Sequence, residues 1–404
     1  MHTQVMEESL TPAMHAQQRQ RLRTLEGLLK ADPCNPQLLN ECVSVAQGMS
    51  DLDAVLQLTD AALSVQPDHL GALNARAQVY IQRGDYLSSI KNLNALLKVN
   101  STIWPAHQDL GLCHFCRGEF QQAREPLEFA YLHGERSAGL IRMLVSTYHH
   151  LGLIKEALET ASSNLVVARD DAALAGVFAL LYIDNNDANS ARHWALHALS
   201  LDAECMDALT AVATLHTADG RLDEAAIEFE RVRARAPRAG RAWLGLGTIA
   251  MLRRQLPQAL TELGRAVELL PTHVGTWHML GWTQLLSGEL NGAEQSFRQA
   301  LKLSPFFAES HGSLAATAAM RGDAVTAQRL IDMARRLDAT SASAEFAAAV
   351  LTGRSGESAK AREMVVAMLS RVAPLAAAQM LSGSAAQRDS EQGISGRTRK
   401  PQPR

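Results

Sequence analysis

The sequence predicts an all-α protein built from about ten helix–turn–helix units of 34 residues each. Three observations carry this. Residue types recur at a single offset of 34 positions. Ala and Leu are abundant while aromatic residues make up only 5% of the chain, a mixture that loses little on entering helices. Gly and Pro fall at fixed points of the period, where helices have to end.

The period is clearest between Gly240 and Pro305. Trp277 follows Trp243 by 34 residues, and Leu280, Gly281, Ala293, Ala300 and Pro305 follow Leu246, Gly247, Ala259, Ala266 and Pro271 by the same step. One step back stand Ala225, Phe229 and Pro237. Further back come Tyr182 and Ala191, then Tyr148, Gly152 and Ala157, then Leu110, Gly111, Gly118, Ala123 and Ala130, then Tyr80 and Gly84, and finally Ala62 and Pro67. Forward, Leu314, Gly322, Ala327 and Ala334 fit, and Gly356 and Ala361 fit weakly. The expected units start at Pro36, Leu70, Trp104, Ala138, Ala172, Met206, Gly240, Val274, Ala308 and Ala342.

Each marked place has a physical reason. Small residues such as Gly111, Gly247 and Gly281 belong where paired helices approach closely, with Leu110, Leu246, Leu280, Phe229 and Phe297 filling the space beside them. Gly118, Gly152, Gly220, Gly288 and Gly322 fall in the turn, where a left-handed residue ends the first helix. Pro237, Pro271 and Pro305 close the second helix. One unit alone cannot bury its apolar face, so stability must come from stacking of neighbours.

This pattern resembles the tetratricopeptide repeat over residues 36–375. The resemblance implies a right-handed superhelical solenoid that binds proteins and carries out no reaction. The first 35 residues form an N-terminal segment whose stretch 15–32 reads as a capping helix with Leu22, Leu25, Leu28 and Leu29 on one face. Residues 376–404 form the end of a C-terminal helix, within "REMVVAMLSRVAPLAAAQML", and a polar tail expected to be disordered.

Composition narrows the function. A net charge of −3 lacks the basic excess of a nucleic-acid binder. No apolar run reaches the length of a membrane span, and no secretory signal is visible, so a cytoplasmic protein is expected. Ala/Arg/Leu richness is associated with a bacterial source. No phosphate loop or nucleophile elbow appears, and the flanks of the array leave no room for a catalytic domain.

Three features invite metal or modification chemistry. "GLCHFCRG" places Cys113 and Cys116 three apart around His114, but late in a helix, where the dipole does not activate a thiol. His149 and His150 in the next unit are the conceivable additional ligands of a zinc site; the expectation is ordinary packing, with no metal and no cofactor. His193 and His197 stand four apart without the Glu of a metalloprotease motif, and Asn100 opens an N-S-T triplet expected between units.

By the resemblance, the binding groove is lined by the second, fifth, ninth and twelfth places of each unit's first helix. Early units place Gln37, Asn40, Ser44, Gln47, Asn74, Gln78 and Gln108 there. Middle ones place Arg142, Ser146, His149, Asp207, Thr210 and Thr214, and later ones Leu244, Met251, His278, Trp282, Leu285 and Ala316. Only Arg142, Asp207, Arg241 and Glu309 are charged, so the basic clamp of the heat-shock co-chaperones is not expected. The candidate partner-binding residues are Trp282, Leu285, His278, Leu244, Met251, Arg142, Asn74, Gln78 and Asn40, with Trp282 foremost because it sits off the packing pattern among aliphatic groups. Trp243 and Trp277 are expected to be structural. A chaperone-like protein of a secretion or pilus/envelope assembly system, or a substrate-presenting partner of a modifying enzyme such as a glycosyltransferase, are the alternatives. Oligomeric state is open.

Overall fold

The computed structural model describes residues 12–32, 35–361 and 363–364. The residues 365–404, including most of the expected C-terminal helix and all of the tail, lie outside them. The chain divides into two compact units, Met1–Ala211 and Val212–Arg404.

The first unit opens with α1 (Pro12–Ala31). Helix pairs follow: α2 (Pro36–Gly48) and α3 (Leu52–Val65), α4 (Leu70–Gln82) and α5 (Tyr86–Val99), α6 (Trp104–Cys116) and α7 (Phe120–His133). Then come α8 (Ala138–His150) with α9 (Ile154–Ser162) and α10 (Leu165–Ala168), and α11 (Ala172–Asp184) with α12 (Ala188–Leu201). The division between units falls within α13 (Met206–Ala218). The second unit continues with α14 (Leu222–Arg235), α15 (Gly240–Leu252), α16 (Leu256–Leu269), α17 (Val274–Leu286), α18 (Leu290–Leu303), α19 (Ala308–Arg321), α20 (Ala324–Leu337) and α21 (Ala342–Arg354). All ten expected repeat starts are first residues of helices. The fold class is the expected one: all-α, in 34-residue helix–turn–helix repeats.

The turn inside each repeat explains this regularity. At positions 50, 84, 118 and onward in steps of 34 to 356, the backbone is left-handed. The amide of the next residue then donates to a carbonyl five residues back, as Asp85 does to Tyr80 at 2.8 Å and Glu289 to Gln284 at 2.8 Å, so a freed helix-end carbonyl is satisfied. Seven of these ten places hold Gly. Ser50, Asn186 and Arg254 hold the other three, with φ of 57°, 58° and 59°. A left-handed L-residue costs about 1–2 kcal/mol, less readily borne by Arg than by Asn. Glycine gives back part of that gain through its greater unfolded freedom. Arg254→Gly is therefore expected to stabilise the second unit by about 0.5–1 kcal/mol, and Asn186→Gly to change little. Chemical denaturation of the two variants checks the ranking; a destabilised Arg254→Gly refutes it.

Helix starts are similarly local. Asp51, Asp85, Asp187 and Asp323 accept from the amides of Ala54, Ser88, Ser190 and Thr326 at 3.0–3.1 Å, which caps four second helices. Second helices end just before Pro237, Pro271 and Pro305, as expected. One second helix is broken. Asn164 stands where Ala130 and Ala198 stand in neighbouring repeats, and its side-chain amide donates to the Thr160 carbonyl at 2.7 Å. That takes the acceptor a continuing helix would use, and the helix splits into α9 and α10.

Paired helices meet at small residues. A β-carbon added at Gly111 would lie 2.5 Å from Leu127, at Gly247 2.6 Å from Leu263, and at Gly281 2.5 Å from the Phe297 ring. In the first unit Leu39, Cys42, Val45, Val55, Leu73, Leu93, Leu96 and Cys113 belong to one buried cluster. In the second, Phe297, Leu314, Ile331, Ala334 and Ala344 form another. α1 packs on α2 and buries Leu22, Leu25 and Leu29. Leu28 is instead 52% exposed: the stripe at 22, 25 and 29 is already one helix face, and a residue adjacent to Leu29 points about 100° away from it.

Candidate partner-binding faces

In the first unit several groove places carry side chains that face solvent, while Leu180 on α11 is buried. Asn40 on α2, Asn74 on α4 and Arg142 on α8 are exposed. Ser44 and Gln47 share the Asn40 face of α2 and are also exposed. Gln78, one turn beyond Asn74, is half-buried and its Nε2 donates to Asp109 Oδ2 on α6. His149 pairs with Asp184.

In the second unit the places are more enclosed than the sequence suggests. Leu285 is 2% exposed and belongs to the core with Phe297, Leu314 and Ala344. His278 is 8% exposed, with its Nε2 2.9 Å from Ser310 Oγ on α19. Its ring lies edge-on to Phe307 at 5.3 Å. Burial pushes its pKa down to about 4, so the ring is neutral at neutral pH. Neither residue presents a surface. Trp282 is half-buried, edge-on to Phe297 at 5.7 Å and to Phe346 of α21 at 5.5 Å. Leu244 and Met251 of α15 are half-buried against Ala259, Leu263 and Leu280.

The cause lies on α19. Ser310, Gly312, Ser313, Ala315 and Ala316 are so small that α21 comes into backbone contact with it. Trp282 of α17 thereby reaches Phe346, two repeats away. Glu309, one of the few charged groove places, is drawn into the same joint: its carboxylate accepts from the amides of Ala342 and Ser343, each at 2.9 Å, and caps α21.

At the fourth place of the first helix, Trp and His side chains are structural. Trp243 and Trp277 donate from Nε1 to the carbonyls of Pro237 and Pro271 at 2.8 and 2.9 Å. His107 and His311 do the same from Nε2 to Ser101 and Pro305, each at 3.0 Å. Each side chain ties its helix start to the preceding turn.

Cys113 is fully buried at the helix seam and its thiol pKa is raised by burial, whereas Cys116 is exposed. His114 Nδ1 lies 2.7 Å from Glu119, and His150 stacks on Phe120 at 4.0 Å. His197 Nε2 bonds the Arg169 carbonyl at 2.9 Å. Among the described residues no three His, Cys, Asp or Glu gather as metal ligands. Asn100 ends α5 between two repeats, accepting from the Thr102 amide at 3.0 Å. No helix among the described residues is long and apolar enough to cross a membrane.

Sequence reasoning passed over Asp109. The sixth place of the first helix is apolar or small in most repeats, as Ala75, Met143, Val177 and Gly245 show, and the other carboxylate there, Glu41, is exposed. A carboxylate there was a visible departure from the period.

The tetratricopeptide repeat family matches residues 228–273, and a second description of the same repeat matches 274–307. No curated protein matches in sequence. Among solved structures, a chain of the APC/C hetero-tetramer Cut9–Hcn1 aligns over 92% of this chain and 93% of its own, at 12% identity and a TM-score of 0.51. A tetratricopeptide repeat protein from Parabacteroides merdae aligns over 58% and 93%, at 18% identity and 0.44. YrrB, described as a TPR protein with an unusual peptide-binding site, aligns over 46% and 94%, at 23% identity and 0.33. Residues 228–307 are thus tetratricopeptide repeats by sequence, and the described residues share the tetratricopeptide-repeat fold.

Proposed function

We propose that the protein is a non-catalytic interaction scaffold that binds an extended or helical segment of a partner protein along its first helices. The observation behind this reading is the row of exposed Asn40, Asn74 and Arg142 on α2, α4 and α8. None of the three side chains has a hydrogen-bonding or ionic partner among the described residues. Amides offer both a donor and an acceptor, which suits the alternating groups of a peptide backbone. One solved structure of the same fold is a chain of a hetero-tetramer, consistent with this use of the fold. Leu244, Met251 and Trp282 of the second unit are the apolar candidates. His278 and Leu285 act behind them by packing.

The test compares capture of partners from the native cell by wild type and by the triple variant Asn40→Ala, Asn74→Ala, Arg142→Ala. All three sites are exposed, so stability should stay within about 0.5 kcal/mol. A partner held by wild type should be recovered at least tenfold less with the variant. Equal recovery of every partner refutes the reading for the first unit. Leu285→Ala is no substitute, because emptying a core site costs about 2–5 kcal/mol and confounds binding with unfolding.

A further inference from the structure

Asp109 is half-buried on α6, with its carboxylate against Gln78 of the preceding repeat. Its bond from Gln78 is a neutral one. Several other enclosed carboxylates have evident structural work. Glu309 caps α21. Glu128 accepts from Tyr148 Oη at 2.9 Å and from Arg124 at 2.7 Å. Glu294 holds Arg298 and Arg321. Glu262 faces Arg233. Asp109 caps no helix and pairs with no cation among the described residues, and burial lifts its pKa to about 6. Burying an ionised carboxylate without a cation works against folding, so its presence asks for a use outside the fold.

The chemistry of the pair indicates that use. Gln78 spends one of its two amide hydrogens on Asp109, and the Gln78 carbonyl with the remaining carboxylate lone pairs leaves the pair richer in acceptors than in donors, with a negative charge among them. Gln78 sits one turn from exposed Asn74, on the face already assigned to the partner. An acceptor-rich, negatively charged pair on a half-buried wall suits a group that brings several N–H donors and a positive charge. We propose that Asp109 and Gln78 form the receiving point for a basic side chain, a lysine ammonium or an arginine guanidinium, of the partner segment bound by the first unit. This rests on the scaffold reading above. It is the opposite polarity to a basic clamp gripping a carboxylate.

Random twelve-residue peptides displayed on phage, selected against the full chain, test it. Wild type should yield a pool with one position enriched in Lys or Arg, and the Asp109→Asn pool should lose that enrichment. A synthetic peptide from the wild-type pool should bind Asp109→Asn about tenfold or more weaker. Replacing its basic residue by norleucine should cost about the same, and the two changes together little more than either alone. Asp109→Asn should melt cooperatively at or above the wild-type temperature, which separates lost binding from lost fold. A wild-type pool without basic preference, or equal affinity for both proteins, overturns this inference and leaves the scaffold reading standing. Failure of wild type to select any peptide overturns both.

Discussion

Gly312→Ala is expected to be among the most damaging single methyl additions in the second unit. The added β-carbon would lie 2.5 Å from the Ala344 amide nitrogen, 2.7 Å from Ser343 Cβ and 2.8 Å from the Ser343 carbonyl carbon. Two of these three are backbone atoms, so relief requires α21 as a whole to move. At Gly281 and Gly111 the obstacle is a Phe ring or a Leu side chain, which a rotamer change can partly withdraw. Moving α21 also pulls the Ala342 and Ser343 amides off the Glu309 carboxylate, and separates Ser313 Oγ from Ser343 Oγ, now 3.3 Å apart. Overpacking alone costs about 1–3 kcal/mol, and loss of a helix cap about 0.5–2 kcal/mol more. A loss of about 2–5 kcal/mol is expected, concentrated at the α19–α21 joint because repeat stability is a sum over neighbouring interfaces. Gly264→Ala on α16 is the control. Nothing lies within 4 Å of its added carbon, and the helix interior should gain about 0.5–1 kcal/mol. Thermal unfolding with hydrogen exchange on α21 measures both. A Gly312→Ala protein melting like wild type, with α21 still protected, contradicts the close approach.

This joint also shows where reading the sequence alone stops. Repeat starts at Pro36, Leu70 and onward to Ala342 were legible because the 34-residue period is anchored in local chemistry: small residues at the helix seam, a left-handed turn residue and, in several repeats, a Pro after the last turn. Which groove places stay open was not legible. His278 and Leu285 have the same places in their helix as Asn74 and Ile81 have in α4, yet they are closed in by α19. That closure is set by the small size of Gly312 and Ser313, more than 25 positions further along. Glu309 reads as a groove charge because its partners, the Ala342 and Ser343 amides, belong to the next repeat. The break at Asn164 required recognising that an amide side chain can outcompete its own backbone at a place held elsewhere by Ala. Asp109 is different: comparison of the sixth place across repeats narrows attention to two carboxylates, Glu41 and Asp109, and only the fold shows that Glu41 is exposed while Asp109 is half-buried.

Asp109→Asn is expected to stabilise the first unit at neutral pH. The carboxyl titrates near 6 in the folded chain against about 3.9 in an unfolded one. A folded pKa above the unfolded one favours folding while the group is protonated, and that benefit is lost as pH rises from about 4 through about 6. Two units correspond to about 3 kcal/mol at most; the group is only half-buried, and water reduces this to roughly 1–2 kcal/mol. Asparagine keeps the shape and still accepts from Gln78, so it avoids the loss. The two proteins should therefore have equal stability below about pH 4 and diverge above it, the variant leading by the full amount from about pH 7. Other titrations do not obscure this. Asp85, Asp187 and Asp323 have pKa values lowered by hydrogen bonds from Ser88, Ser190 and Thr326, and their contribution is lost as pH falls. His278, lowered to about 4, likewise withdraws stability between about pH 6.5 and 4. All four are common to both proteins and cancel in the difference. Denaturant midpoints from pH 4 to 8 supply the curve. A variant less stable than wild type at pH 7.5 would mean that the carboxylate has work inside the fold. A variant that is firmer yet loses selectivity for basic peptides would show a residue kept for binding at the expense of stability.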